Sequence, residues 1–125
     1  MFKRIVFTEK APKPVGPYSQ AVICGDFVFM SGQIPINPKT STVVTGAIEA
    51  QTAQVMENLK SILESVSLTL EDVVKTSVFL SDLNDFQSFN SVYGKYFGVN
   101  PPARSTVQAG LMTGVLLEIE AIAKK

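Results

Sequence analysis

The sequence predicts an α+β fold, in which one mixed sheet carries two helices on a single face. Three observations carry this. Two segments have apolar residues at three- and four-residue steps, and six short runs are rich in β-branched and aromatic residues. The elements follow in the order β-β-β-α-β-α-β-β, which is neither a strict strand–helix alternation nor an all-β pattern. Third, the strands are apolar on both phases: Val115, Leu117, Ile119 and Ala121 on one, Leu116 and Ile122 on the other. Two helices cover one sheet face only. The second face therefore calls for another copy of the chain, and an oligomer is expected.

Phe2 to Thr8 reads as the first strand. The proline-punctuated stretch 10–17 follows and excludes helix. Ser19 to Cys24 and Phe27 to Ser31 are two strands joined by Gly25-Asp26, the spacing of a two-residue hairpin. Gly32 to Thr45 contains Pro35 and Pro38 and reads as loop. Gly46 to Val66 is the clearest helix, with Ile48, Val55, Met56, Leu59, Ile62, Leu63 and Val66 on one face and Gln51, Gln54 and Glu57 elsewhere on the wheel. Val73 to Ser81 is a strand. The run 82–85 supplies N-cap candidates for a second helix ending near Phe97, where Gly98 and Pro101-Pro102 stop it. The last strands are Ala103 to Ala109 and Val115 to Ala123.

The 125 residues suit a single domain spanning 1–125. Eleven basic and eleven acidic residues cancel, which argues against a nucleic-acid partner. There is one cysteine, so an internal disulfide and a cysteine-rich zinc site are excluded. There is no histidine, so imidazole bases and two-histidine metal motifs are excluded too. No metal and no cofactor is expected. No signal-peptide core and no apolar run near the ~20 residues of a membrane helix is visible, so a cytoplasmic protein is expected.

Chemistry then falls to carboxylates, arginine, tyrosine, serine, threonine and the backbone. Arg104, Thr106 and Gln108 share one phase of their strand, and Glu118 and Glu120 share one phase of theirs. Paired as a hairpin about residue 112, these strands would set Arg104 opposite Glu120 and Thr106 opposite Glu118. Such a cluster reads either as a register-setting salt bridge or as a guanidinium fork for a small carboxylate with a glutamate to handle water. Tyr18 follows the Gly16-Pro17 turn and caps either a core or a site. Gly32 after Ser31 either makes a turn or lets a ligand approach the backbone. Asn90, one turn after Phe86, is a solvent-exposed amide or a site residue. Cys24 reads as a small core residue.

In order along nearly the whole chain stand Ala11-Pro12 with Gly16-Pro17-Tyr18, Ser31-Gly32-Gln33-Ile34-Pro35, Val78-Phe79-Leu80 with Asp82-Leu83, Pro102-Ala103-Arg104-Ser105 and Glu118-Ile119-Glu120-Ala121. With these pieces the sequence resembles the archetypal branch of the Rid/YjgF family, the reactive-intermediate (imine/enamine) deaminases also known as L-PSP endoribonucleases. The resemblance implies a chorismate-mutase-like fold and a homotrimer with sites between subunits. It implies hydrolysis of 2-aminoacrylate, 2-aminocrotonate and their imines to 2-oxo acids and ammonia, without metal or cofactor. It also implies a functional link to the pyridoxal-phosphate dehydratases that release these compounds. By the same resemblance Arg104 grips the substrate carboxylate and Glu118 activates water. Tyr18, Ser31, Gly32 and Asn90 line the site. Thr106 stands where many members carry cysteine and acts through its backbone. The connection between Arg104 and Glu118 is one residue shorter than in the common bacterial form, and Glu118 is preferred over Glu120 because it opens the Glu-Ile-Glu-Ala run. The alternatives are an L-PSP-type endoribonuclease or translation inhibitor and a non-catalytic module that binds 2-oxo acids.

Overall fold

The computed structural model describes residues 3–125. Its strands are β1 (Lys3–Val6), β2 (Ala21–Cys24), β3 (Phe27–Gln33), β4 (Ile36–Asn37), β5 (Thr42–Val43), β6 (Val73–Leu80), β7 (Ala103–Gln108) and β8 (Leu117–Lys124). The α-helices are α1 (Ile48–Glu64) and α2 (Phe86–Phe97), with short 3₁₀ turns before β6 and before α2. Six strands form one sheet in the order β1-β2-β3-β8-β6-β7, and β4 and β5 form a separate two-stranded ribbon. The expected order of elements is present, with this ribbon added inside the segment read as loop. The expected start of the first strand, Phe2, lies outside the described residues.

The sheet alternates cleanly. Val28, Met30, Val78, Leu80, Leu117, Ile119, Ala121 and Ala123 are buried and join the helix residues Val55, Met56, Leu59, Ile62, Leu63, Phe89 and Tyr93 in the core. Both helices therefore cover one face, as their periodicity requires. The opposite face carries a row that runs Ile5, Val22, Phe29, Ile122 and Lys75 across paired strands. Ile5, Phe27, Phe29 and Val107 on this face are exposed. The Gly25-Asp26 hairpin is present: Cys24 pairs with Phe27, and Gly25 has φ of 60°.

The pairing of the last two strands differs from the expectation. β7 and β8 do not form a hairpin. Both flank β6, with β7 parallel and β8 antiparallel to it. β6, α2 and β7 thus form a strand–helix–strand crossover, which a parallel pair requires. β8 returns to the middle of the sheet between β3 and β6, where both of its edges are paired.

Two residues read as surface or core, Gln51 and Cys24, change places, and Asn58 is buried as well. Gln51 on α1 is buried, although it falls off the apolar stripe. Its Nε2 donates to the carbonyls of Val44 (3.0 Å) and Gly114 (2.8 Å), and its Oε1 accepts from the Leu116 amide (2.8 Å). Asn58, two turns on along the same side of α1, donates to the carbonyls of Ile34 and Ile36 at 3.2 and 2.9 Å. Cys24, expected in the core, is exposed, because Ala21 and Ile23 take the helix-facing phase of β2.

Candidate functional site

The residues singled out in the sequence gather in two clefts. The first lies against β3 and β8. β3 pairs with β8 through Met30↔Ala121 and then Gln33↔Ile119, so β3 carries one extra residue in this interval. Ser31 and Gly32 occupy the resulting bulge, a device that re-aims side chains beside functional sites. Ser31 is fixed on both sides: its amide donates to the Gln20 carbonyl (2.9 Å) and its hydroxyl to the Ser19 carbonyl (2.6 Å). Gly32 is needed for space. A Cβ built there would collide with the Glu118 carboxylate, with Cδ at 2.9 Å and Cγ at 3.0 Å.

Glu118 is half-buried on the open face of β8. Burial pushes its carboxyl above the ordinary range, and the neighbouring Glu120 charge adds to the shift. It shares a cavity of about 610 Å³ with Tyr18, Ser31 and Gly32. Tyr18 is half-exposed at the rim, held by its amide bond to the Gly16 carbonyl (2.9 Å). Buried Gln20 fixes the proline loop that leads to it. Its Nε2 donates to the carbonyls of Thr8 and Pro12, each at 2.9 Å, and its Oε1 accepts from the Thr8 amide at 2.7 Å.

The second cleft, about 470 Å³, lies at the β7 edge and includes Asn90, Tyr93, Pro102 and Arg104. Arg104 pairs with Thr76, and Thr76 with Ala121, so Arg104 points to the helix face. Its Nη1 donates to Asn90 Oδ1 at 2.8 Å. Its guanidinium carbon stands 5.5, 5.6 and 4.9 Å from the ring centres of Phe86, Phe89 and Tyr93. Burial keeps the Tyr93 phenol protonated well above neutrality, despite its contacts with Thr76 and Arg104. It shares a 2.7 Å hydrogen bond with the Thr76 hydroxyl. Thr106 points the same way as Arg104, and its buried hydroxyl has no hydrogen-bond partner among the described residues.

The structure thus unites Tyr18, Ser31, Gly32 and Glu118 in one cleft and Asn90 and Arg104 in the other, with Thr106 on the same face of β7 as Arg104. It does not unite the two sets. Glu118 takes the even phase of β8 and faces away from the helices, whereas Arg104 faces toward them. The strands β7 and β8 are also two spacings apart, roughly 9–10 Å. The expected cross-strand pair of Arg104 with Glu120 or Glu118 is therefore absent, and with it the register-setting salt bridge. Asn90 is an arginine partner and not a free surface amide. Gln20, Gln51 and Asn58, which fix the loops of the first cleft, carried no sequence signal beyond being amides off the apolar stripes.

The comparisons with known proteins agree with this architecture. The family model described as Endoribonuclease L-PSP matches residues 8–125. A RutC family protein of Pyrococcus horikoshii is 55% identical over 124 residues, covering 98% of each chain. The chloroplastic Reactive Intermediate Deaminase A of Arabidopsis thaliana is 45% identical over 122 residues, 97% of this chain and 65% of that one. The crystal structure of E. coli TdcF with bound serine is 41% identical and superposes with a TM-score of 0.92, covering 98% of both chains. With its mixed sheet, two helices and motifs matched along almost the whole length, the chain belongs to the Endoribonuclease L-PSP family, the family of the Rid proteins.

Proposed function

We propose that this protein is a hydrolytic deaminase that converts reactive 2-imino acids and their enamine tautomers to 2-oxo acids and ammonia. The observation that carries this reading is Glu118: a half-buried carboxylate with a raised pKa, facing a cavity rimmed by Tyr18 and Ser31. A carboxyl group shifted toward neutrality can both take and return a proton. The name of the Arabidopsis relative and the serine held by TdcF, an amino acid of the size of the smallest substrates, support the same reading.

In the proposed reaction Glu118 accepts a proton from water as the water oxygen bonds to the carbon of the protonated imine (C=NH2⁺) and the C=N π pair moves onto nitrogen, giving an amine. Return of that proton to nitrogen makes it a leaving group. The C–N bond then breaks, ammonia departs, and the hydroxyl loses its proton to leave the 2-oxo acid. No redox change occurs. Arg104 offers two parallel N–H groups to the substrate carboxylate, and its stack of three aromatic rings holds the fork in one plane. Placement of the electrophile beside the base supplies much of the rate. Thr106, on the same face of β7, contributes through its backbone.

Arg104 and Glu118 of one chain face opposite sides of the sheet, so a single chain cannot present both to one small molecule. A homotrimer in which the open sheet face of one copy receives the β7 edge of the next would complete each site from two chains. The exposed apolar residues of that face, Ile5, Phe27, Phe29 and Val107, favour such a partner. The endoribonuclease alternative finds less support, because the Glu118 cavity carries two glutamates against one lysine, a net negative lining that would repel phosphate.

A coupled assay tests the proposal. A threonine dehydratase releases 2-aminocrotonate and its imine in situ, and 2-oxo acid formation is followed with and without this protein. The expected outcome is faster release, lost in Arg104→Ala with the circular dichroism spectrum unchanged. No acceleration, or native activity in the variant, contradicts it.

A further inference from the structure

In the single chain the Glu118 cleft is larger and more apolar than a three- or four-carbon imino acid requires. Its volume of about 610 Å³ lies in the range, roughly 300–1,000 Å³, of pockets that enclose far larger ligands. Beside the polar residues, its walls are Pro12, Val15, Ile34, Ile36 and Met112. Val15 is 88% exposed and Met112 67%, two large apolar side chains held out at the rim.

These side chains stand on fixed backbone. The loop bearing Met112 is tied at both ends. The Ala109 amide donates to the Leu80 carbonyl (2.9 Å), and the Gly114 carbonyl and Leu116 amide bond buried Gln51 (both 2.8 Å). Within the loop, the Val115 amide donates to the Met112 carbonyl at 3.0 Å. Asn58 pins the carbonyls of Ile34 and Ile36, and Gln20 pins that of Pro12. Buried amides from the core thus set three separate apolar walls around the Glu118 carboxylate, the preorganisation expected of a binding pocket. The methionine is unbranched and polarizable, suited to closing over side chains of differing shape.

We propose that Met112, with Val15 across the rim, is a specificity-determining residue: it receives the substrate side chain and makes the protein prefer 2-imino acids with apolar side chains longer than methyl. This rests on the deaminase reading above and names the side chain that reading leaves open. Burial of each further methylene against this wall is expected to raise kcat/KM about fourfold until the pocket is filled.

The test uses the full-length protein and a series of imines generated in situ by an L-amino-acid oxidase from alanine, 2-aminobutyrate, norvaline and leucine. In parallel, calorimetry measures binding of the corresponding 2-oxo acids. The expected result is kcat/KM rising along the series, a gradient flattened in Met112→Ala and restored in Met112→Leu. A flat series in the native protein, or an equal loss for every imine in Met112→Ala, overturns the assignment. If no imine is turned over yet 2-oxo acid binding still rises with length through Met112, the pocket stands and the deaminase reading falls. If neither turnover nor binding depends on length, the assignment to Met112 falls.

Discussion

The two clefts of this chain are built on opposite principles. Around Arg104 the cation is held in place: the guanidinium donates to Asn90, stacks against three rings and sits between strand and helix. Glu118, by contrast, makes no salt bridge among the described residues. The carboxylate is desolvated, repelled by Glu120 and given room only because Gly32 has no side chain. A rigid cation suits recognition, since its orientation is settled before the ligand arrives. An uncompensated carboxylate suits proton transfer, since its affinity for a proton is raised. The difference supports the proposed division, with binding at one cleft and proton transfer at the other.

The largest effect that would break this contrast comes from Glu118→Gln. Turnover is expected to fall about 10²–10⁴-fold, the range for losing a placed proton acceptor. The same change relieves the folded state. Glu118 has a raised folded pKa, so between its unfolded and folded values the folded chain binds more protons and stability falls as pH rises. Glu118→Gln should therefore unfold at or above the native temperature at pH 7, with the difference shrinking below the ordinary glutamate range. For the native protein, kcat/KM should decline on acidification at a pH above that of an ordinary glutamate. A variant that loses stability at pH 7 would show that Glu118 is a structural anchor.

Gly32→Ala comes next. The new methyl must displace the Glu118 carboxylate or the bulge itself, and a shift near 1 Å at a reacting group reduces rate about 10²-fold. Overpacking of this kind also destabilises by about 1–3 kcal/mol, readable by urea denaturation. Unchanged kinetics would mean that Glu118 moves without consequence.

The smallest effect is expected at Thr106. Its hydroxyl is buried without a partner among the described residues, so Thr106→Val should leave stability equal or slightly raised. Turnover should change less than threefold if this residue acts through its backbone. A large rise in KM with kcat unchanged would instead assign the hydroxyl to the ligand.

Much of the architecture was legible from local pattern. The helices follow from the spacing of Ile48 through Leu63 and of Phe86 through Phe97, because burying one face is the local requirement that sets a helix period. The Gly25-Asp26 hairpin follows from the positive φ that glycine supplies. The β3 bulge was half-legible: Gly32 after Ser31 suggested a close approach, and what approaches is Glu118. The partner of β8 was not legible locally. Adjacency in sequence favours a β7–β8 hairpin, whereas the helical segment between β6 and β7 provides the long crossover that a parallel pair needs. The alternating faces then decide everything else: placing β7 beyond β6 parts Arg104 from Glu118, a consequence of tertiary pairing that no periodicity reveals. Gln51, Asn58 and Gln20 escaped for a related reason, since an amide that caps distant loops looks like an ordinary polar residue in its own segment.

The central claim is that arginine from one chain and glutamate from another form each site, and mixing two inactive proteins tests it most directly. Arg104→Ala and Glu118→Gln are unfolded together in equal amounts and refolded, with each alone as control, and imine hydrolysis is measured. Random assembly gives about a quarter of the sites both native residues, so activity should return to about a quarter of the native level. Mixed protein as inactive as its parents, despite native-like assembly by light scattering, would contradict the account.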